Sequence, residues 1–453
     1  MGLTAVLVLQ MLSACGGSQT AATTAAGTTA AGSTEESKAA GTSSAETTAA
    51  GTTAAASKDA VTISFGIWDE KQRPTMEKMA QAYEAENPNV KVDIQITPYK
   101  GGEYWTKLEA GATGGTAPDV FWINVLHAED YYDGGILADL TDYIKNSDLK
   151  MDTDFPASLV KAYNFDGKQI AIPKDFDTNA LWYNKDIFDK AGVAYPTDDW
   201  TYDDMMKACE ELKSKGLGDG VYAMPSPIDF QTYYYPTVFA NGGYILNQDK
   251  TETGYADEKT QGGIQCWIDL ITKGYSPSAA SLSETSADAL FEGGQAAMVM
   301  AGSYMTPEYV GNDKISKSIN LVEYPKFNNV EPNVINGLGY AVYEGSKNKD
   351  AAAAFAIWLG GAEAMKIQGE SGVVISARND AQKYFAASNT ALNLAAYTNH
   401  ADTANPLPVC KNVAEIYDLE GEALKSAYSG EKPLKDVCTQ LKTDADAVLA
   451  KNK

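Results

Sequence analysis

The sequence predicts an α/β protein with mixed, mostly parallel sheets, and three observations carry that reading. From Val61, apolar Val61, Ile63, Phe65 and Ile67 alternate with Thr62, Ser64 and Gly66, the period of two that marks a strand. "VKVDIQI" repeats the alternation at Val90, Val92, Ile94 and Ile96. Between them, "PTMEKMAQAYEAENP" sets Met76, Met79, Ala80 and Tyr83 at i, i+3, i+4 and i+7, one face of a helix that Pro88 closes. A helical stretch over 103–112 and the unbroken apolar run "PDVFWIN" of a buried strand continue the series. Strand, helix, strand, helix, strand is the pattern of a parallel sheet covered on both faces.

The stretch "KDFDTNALWYN" (174–184) interrupts it. Strand interiors are poor in Asp and Asn, yet Asp175, Asp177 and Asn179 run straight into "ALWY". Either this is an exposed strand edge, or polar side chains meet a ligand beside an aromatic wall. Downstream the chain turns helical. In "WTYDDMMKACEELKSKG", Thr201 is an N-cap with Asp204 three residues on, and Gly216 is a C-cap. The Tyr-rich "DFQTYYYPTVFANGG" reads as loops, and "ADALFEGGQAAMVMAGSY" as helix end, Gly-Gly turn and strand. Residues 349–453, opening with "KDAAAAFAIWL", read as nearly all helix.

Of the 453 residues 44% are hydrophobic, enough for a large core, and the length sets a prior of two or three domains. A formal charge of −24 repels phosphate backbones, which argues against nucleic acid as a partner and against an electrostatic grip on anionic lipid. The first 15 residues are an apolar run, too short to span a bilayer, that ends in "LSAC". That tetrad resembles the bacterial lipobox, which implies cleavage before Cys15 and lipidation of its sulfur. No Lys or Arg precedes the run, and an ordinary N-terminal core strand is the alternative. Residues 16–58 are dominated by Ala, Thr, Gly and Ser, too poor in large apolar side chains to offset ordering entropy, hence a disordered tether.

Cys209, Cys266, Cys410 and Cys438 show neither CxxC nor metal-type spacing. Cys209 lies on the apolar stripe Met205, Ala208, Cys209, Leu212, and a Cys410–Cys438 pair is left open. The two histidines, His127 and His400, fall in no HExxH, and GxSxG, GxxxxGK[ST] and post-strand GxGxxG motifs are missing. No metal, cofactor or catalytic residue is therefore expected. A glycosidase would need only two carboxylates such as Asp69 and Asp177 at the right separation. "NQDKTETGYADE" (247–258) lacks the Gly that a calcium loop needs at position six.

Several stretches, in this order, resemble the extracellular solute-binding proteins of bacterial ABC transporters, in particular the sugar-binding family that includes maltose-binding protein. They are "ISFGIWDE" (63–70), "APDVFWIN" (117–124), "GGILADLTDYI" (134–144) and "FDGKQIAIPKDFDTNALWYNKDIFDKAGV" (165–193), followed by "PTVFANGGY" (236–244), "ALFEGGQAAMVMAGSY" (289–304) and "SKNKDAAAAFAIWL" (346–359). The resemblance implies a two-lobed, periplasmic-binding-protein-like fold with the ligand cleft between lobes. Lobe 1 would take 59–175 with 300–338, and lobe 2 would take 176–299 with 339–453. Crossings are implied near 173–177, 298–301 and 336–340.

By the same resemblance the ligand-binding candidates are Trp68 and Asp69 after the first strand, Trp122 and Asn124 on the third, and Asp177 at the first crossing. The Tyr-rich loop offers Tyr233, Tyr234 and Tyr235, and Tyr304 and Arg378 complete the set. Tyr304 stands where relatives often carry Trp, and Ser376 where a proline commonly precedes the basic residue. Such a set suits a sugar, with flat aromatics against C–H faces and carboxylates or amides for the hydroxyls. Two aromatics burying ~150–250 Å² each at ~25 cal/mol/Å² give roughly 7–12 kcal/mol gross. A micromolar Kd needs about 8 kcal/mol net. After ordering and desolvation the aromatics alone fall short, so the polar groups carry part of the affinity. The implied partners are a carbohydrate and an ABC permease that reads lobe closure. The receptor would be monomeric and lipid-anchored at Cys15 to the outer face of the cytoplasmic membrane. Polyamines or peptides are the alternative ligands, and glycan adhesion without transport is the alternative role.

Overall fold

β1 (Val61–Ile67), α1 (Arg73–Glu86), β2 (Val90–Ile96), α2 (Glu103–Gly114) and β3 (Val120–Asn124) follow one another as the periodicity predicts. The computed structural model describes residues 60–99 and 102–452, so the signal segment, Cys15 and the 16–58 tether lie outside the described residues. β1 pairs in parallel with β2, Val61 opposite Val90, and with β3, Phe65 opposite Val120. Ile63, Phe65 and Ile67 are fully buried and share one core with Met76, Met79 and Tyr83 of α1.

Further along come α3 (Val125–Asp133), β4 (Ala171–Pro173), β5 (Asn179–Asn184), α4 (Tyr202–Ser214) and α5 (Glu258–Thr272). Then follow β6 (Met298–Gly302), α6 (Thr306–Gly311), β7 (Ile319–Glu323), β8 (Leu338–Val342), α7 (Lys349–Leu359) and α8 (Ala362–Glu370), with α9 (Val413–Tyr428) and α10 (Leu434–Ala450) at the end. The first sheet has the order β2-β1-β3-β8-β4, with β8 antiparallel to both its neighbours. The second, β7-β5-β6, is antiparallel throughout. Among the described residues, parallel ladders are thus confined to β2-β1-β3 and a short pair of Val334–Ile335 with Asn405–Pro406. α4 carries the expected capping box. Thr201 Oγ1 accepts from Asp204 N at 3.2 Å, Asp204 Oδ2 accepts from Thr201 N at 3.0 Å, and Met205, Ala208, Cys209 and Leu212 are buried.

Two expectations about the lobes are corrected. β6 sits wholly in the second sheet beside β5, so 298–301 is not a crossing. β7 also pairs with β5, whereas β8 joins the first sheet. Residues 319–323 therefore belong to the second lobe, and 338–342 with α7, which packs on β1, β3 and β8, belong to the first. The chain passes between sheets at 174–178 and 336–338. A further passage follows Ile375–Ser376, which pairs with Asp175–Phe176, before Leu394–Tyr397 packs on β5 and β7. α9 and α10 pack together and against α5. Cys209, Cys266, Cys410 and Cys438 are buried free thiols, so Cys410 and Cys438 are not joined. Among the described residues no helix is long and apolar enough to cross a membrane.

Candidate functional site

In the first sheet β1, β3 and β4 run the same way, so their carboxyl ends point together toward the crossing, where open α/β sheets place their ligands. The end of β1 delivers Trp68 and Asp69. Trp68 is half-buried in an aromatic cluster, its ring centroid 4.9 Å from Tyr104, 5.1 Å from Trp122, 5.4 Å from exposed Tyr99 and 5.7 Å from Trp105. Trp122 beneath it is fully buried, and its other neighbour is the ammonium of Lys174, 4.2 Å from the ring centroid. Trp122 is therefore a support for Trp68 and not itself a surface. Asp69 turns its carboxylate into the start of α1, accepting from Lys71 N and Gln72 Nε2 at 2.8 Å each.

Asp177 lies in the crossing, its backbone exchanging both hydrogen bonds with Asn336 at 2.8 and 3.2 Å. Gln231 Nε2 donates to the Asp177 carboxylate, and Asn336 Nδ2 donates to Gln231 Oε1 at 3.2 Å. Asn179 Nδ2 holds the Gln231 carbonyl at 2.8 Å. Burial first, then the fields of Asp175 and Asp229, push the Asp177 carboxyl well above the usual carboxylate range, against the Gln231 donor. Desolvation likewise raises Asp229 and Asp288.

Tyr304 is 44% exposed as a whole, the face it offers being available to a ligand. Burial first, then the fields of the Asp229 and Asp177 carboxylates, raise its hydroxyl well above the usual tyrosine range. The ring packs against Gly302, where a Cβ would come within 2.2 Å of it. Lys71 and Glu308 pair at 3.3 Å, so the loop after Trp68 and Asp69 faces the segment after Tyr304 from the other lobe.

The other candidates are accounted for by packing. Tyr233, Tyr234 and Tyr235 are at most 2% exposed. Tyr233 packs edge-to-face on Trp267 at 5.0 Å, and Tyr235 donates to Glu420 at 2.8 Å. They are core, not cleft, because a π-helical turn (Phe230–Tyr234) rotates Gln231 to the crossing and turns the tyrosines inward. Asn124 Oδ1 is the N-cap of α3, accepting from Leu126 N and His127 N at 3.1 and 3.3 Å. Arg378 is spent on Asp154, with bonds of 2.8 and 3.1 Å, and on Asp380 at 2.9 Å. Gln231 and Asn336 were missed. The only signal for Gln231 was a lone amide inside the Tyr-rich loop.

A cavity of about 490 Å³ also opens between the lobes, lined by Leu159, Ala162 and Phe165 on one side and Phe239 and Leu246 on the other. Asn336 also lines this cavity, and none of the sequence-predicted residues does.

Half-buried Trp68, exposed Tyr304 and the Asp177–Gln231–Asn336 network, brought to the crossing of two α/β lobes, suit a solute receptor. Residues 68–366 match the family of bacterial extracellular solute-binding proteins, and the chain belongs to that family. It is 26% identical over 409 residues to a putative binding protein of Brucella abortus, covering 87% of this chain and 95% of that one. It is 24% identical over 391 residues to the galactooligosaccharide-binding protein of Bacillus subtilis, covering 83% and 86%. Among solved structures, an ABC substrate-binding protein of Listeria monocytogenes in complex with cycloalternan superposes with a TM-score of 0.77 at 26% identity, covering 86% of this chain and all of that one.

Proposed function

We propose that this protein is the lipid-anchored receptor of an ABC importer, capturing a sugar or oligosaccharide between its lobes and presenting it to a membrane permease. The observation that carries the reading is the Asp177–Gln231–Asn336 network at the crossing, beside which Ser303 N donates to Thr178 O at 3.1 Å and so brings exposed Tyr304 to the same segment. One face stacks on a sugar ring while the other supplies hydrogen bonds in its plane. Relatives whose names specify a galactooligosaccharide and cycloalternan support the ligand class. Trp68, held by the aromatic cluster of the first lobe, closes on the same ligand, and the shut state is what the permease reads. The relatives are binding proteins, and catalysis is not part of this reading. A signal over 1–15, lipidation at Cys15, a tether over 16–58 and a monomeric receptor complete it.

A cationic ligand such as a polyamine is the second reading, favoured by Asp177, Asp229 and Asp288. The exposed Tyr304 ring and the neutral amides of Gln231 and Asn336 favour the sugar, because they offer a stacking face and hydrogen-bonding groups suited to hydroxyls. Calorimetry against neutral oligosaccharides and spermidine tests both. Binding of one glycan class, weakened ten- to a hundredfold in Asp177→Asn, is expected, since hydrogen bonds to such groups are worth about 1.5–3 kcal/mol. A response to spermidine alone would overturn the ligand class and keep the fold.

A further inference from the structure

Glu323 at the end of β7, Glu331 in the following loop and His400 after Leu394–Tyr397 converge far from Asp177 in sequence, each offering a ligand atom within 4.8 Å of the others. His400 Nδ1 lies 2.6 Å from Glu331 Oε2, and its Nε2 lies 3.0 Å from Glu323 Oε2. The remaining carboxylate oxygens are already used. Asn399 Nδ2 donates to Glu323 Oε1 at 2.7 Å, and Lys326 Nζ lies 3.5 Å from Glu331 Oε1.

A neutral imidazole has one N–H and one lone pair. It can donate to Glu331 across the shorter contact, but its other nitrogen then faces a carboxylate oxygen of Glu323, lone pair against lone pair. With a neutral imidazole the cluster lacks a cation between Nε2 and Glu323. Two ligand atoms ~2.1 Å from a shared ion lie about 3.0 to 3.4 Å apart at angles of about 90 to 110 degrees, and the Nε2 to Oε2 distance is at the near end of that span. An imidazole whose second N–H is held by a carboxylate is also the usual outer arrangement of a metal-bound histidine.

The geometry points to a divalent-metal site of the zinc class, with His400 Nε2 and Glu323 as ligands, Glu331 orienting the imidazole through Nδ1–H, and water completing the shell. Imidazole with carboxylate suits Zn²⁺, Ni²⁺ or Co²⁺ better than Ca²⁺ or Mg²⁺. The ion would staple the loop after β7 to the segment around His400, just ahead of the strand pair Val334–Ile335 and Asn405–Pro406 that leads into the crossing at Asn336. The three residues are 77 positions apart at the extremes, which is why spacing in the sequence gives no sign of them.

The test is calorimetric titration of the EDTA-treated full chain with ZnCl₂, alongside thermal melts with and without the metal. One saturable equivalent at micromolar Kd and a higher Tm are expected. Both should be lost, with Kd raised at least tenfold, in His400→Gln and in Glu323→Gln, while Glu331→Gln weakens binding by about ten- to a hundredfold through the second nitrogen. Melts of the metal-free variants that match the parent show that they fold. Binding unchanged in His400→Gln, or no saturable binding up to millimolar Zn²⁺, overturns the site. An imidazole found by nitrogen-15 NMR to carry both protons at neutral pH, with zinc inert, assigns the missing cation to a proton and overturns it as well.

Discussion

Glu420 gives the sharpest quantitative consequence of this fold. It is fully buried on α9, with Tyr235 donating to Oε2 at 2.8 Å and Tyr255 and Tyr234 beside it. Burial pushes its carboxyl up to about 8 from an ordinary value of 4.5, against the tyrosine hydroxyls that lower it. The folded chain therefore holds a proton that the unfolded chain releases between those values. That stabilisation is present in full below about 4.5 and is lost as pH rises to about 8, with a slope of about 1.4 kcal/mol per pH unit and a few kcal/mol in all. Asp177, Asp229 and Asp288 slope the same way. Glu84 and Asp204, held low by hydrogen bonds from Lys91 and Thr201, slope the opposite way and only in acid. The informative quantity is thus the difference between parent and Glu420→Gln in urea unfolding from pH 5 to 9. The variant keeps the Tyr235 acceptor and should gain on the parent steadily to about pH 8, then run parallel to it. Parallel curves across the whole range would refute the argument.

Two further outcomes follow from the site. Gly302→Ala should weaken ligand binding by about tenfold, matching Tyr304→Ala, with Tm unchanged, because the added Cβ displaces the Tyr304 ring and Gly302 itself has an ordinary φ of −71°. Affinity equal to the parent would mean the ring is not held there. Lys174→Met should cost about 3–5 kcal/mol in chemical unfolding, since it strands the 5% exposed Asp175 carboxylate, while Lys174→Met with Asp175→Asn should recover most of it. A double variant no more stable than the single one would show that the pair is not what Lys174 serves.

The stretch at 174–184 was legible as a place of conflict, and the structure assigns each of its polar residues. Asp175 pairs with Lys174 and accepts from Leu338 N at 3.0 Å, Asp177 takes Gln231, and Asn179 ties down the Gln231 carbonyl. The segment is a buried polar network between lobes and not an exposed edge. Periodicity also gave β1, α1, β2, β3 and the capping box of α4, because those signals are local. The tyrosines were misread because an i to i+5 turn changes which side chains share a face, and composition carries no mark of it.

The exchange of lobe segments has a different cause. β7 and β8 are both short and largely buried, and neither strand's own pattern differs in a way that names its partner. What separates them is pairing across more than a hundred residues. Leu321 lies opposite Trp182, and Tyr340 lies opposite Trp122. A fully buried strand loses the in-and-out alternation that would otherwise fix its sheet and register. The information then resides in shape, in which core accepts the aromatic that the strand brings. Under the first sheet the Tyr340 hydroxyl reaches Gln368 of α8 at 3.1 Å, so the aromatic the strand brings is both packed and hydrogen-bonded there. Lobe assignment therefore rests on strand pairing and core fit across long sequence separations, a condition that no local reading of residues 300–342 contains.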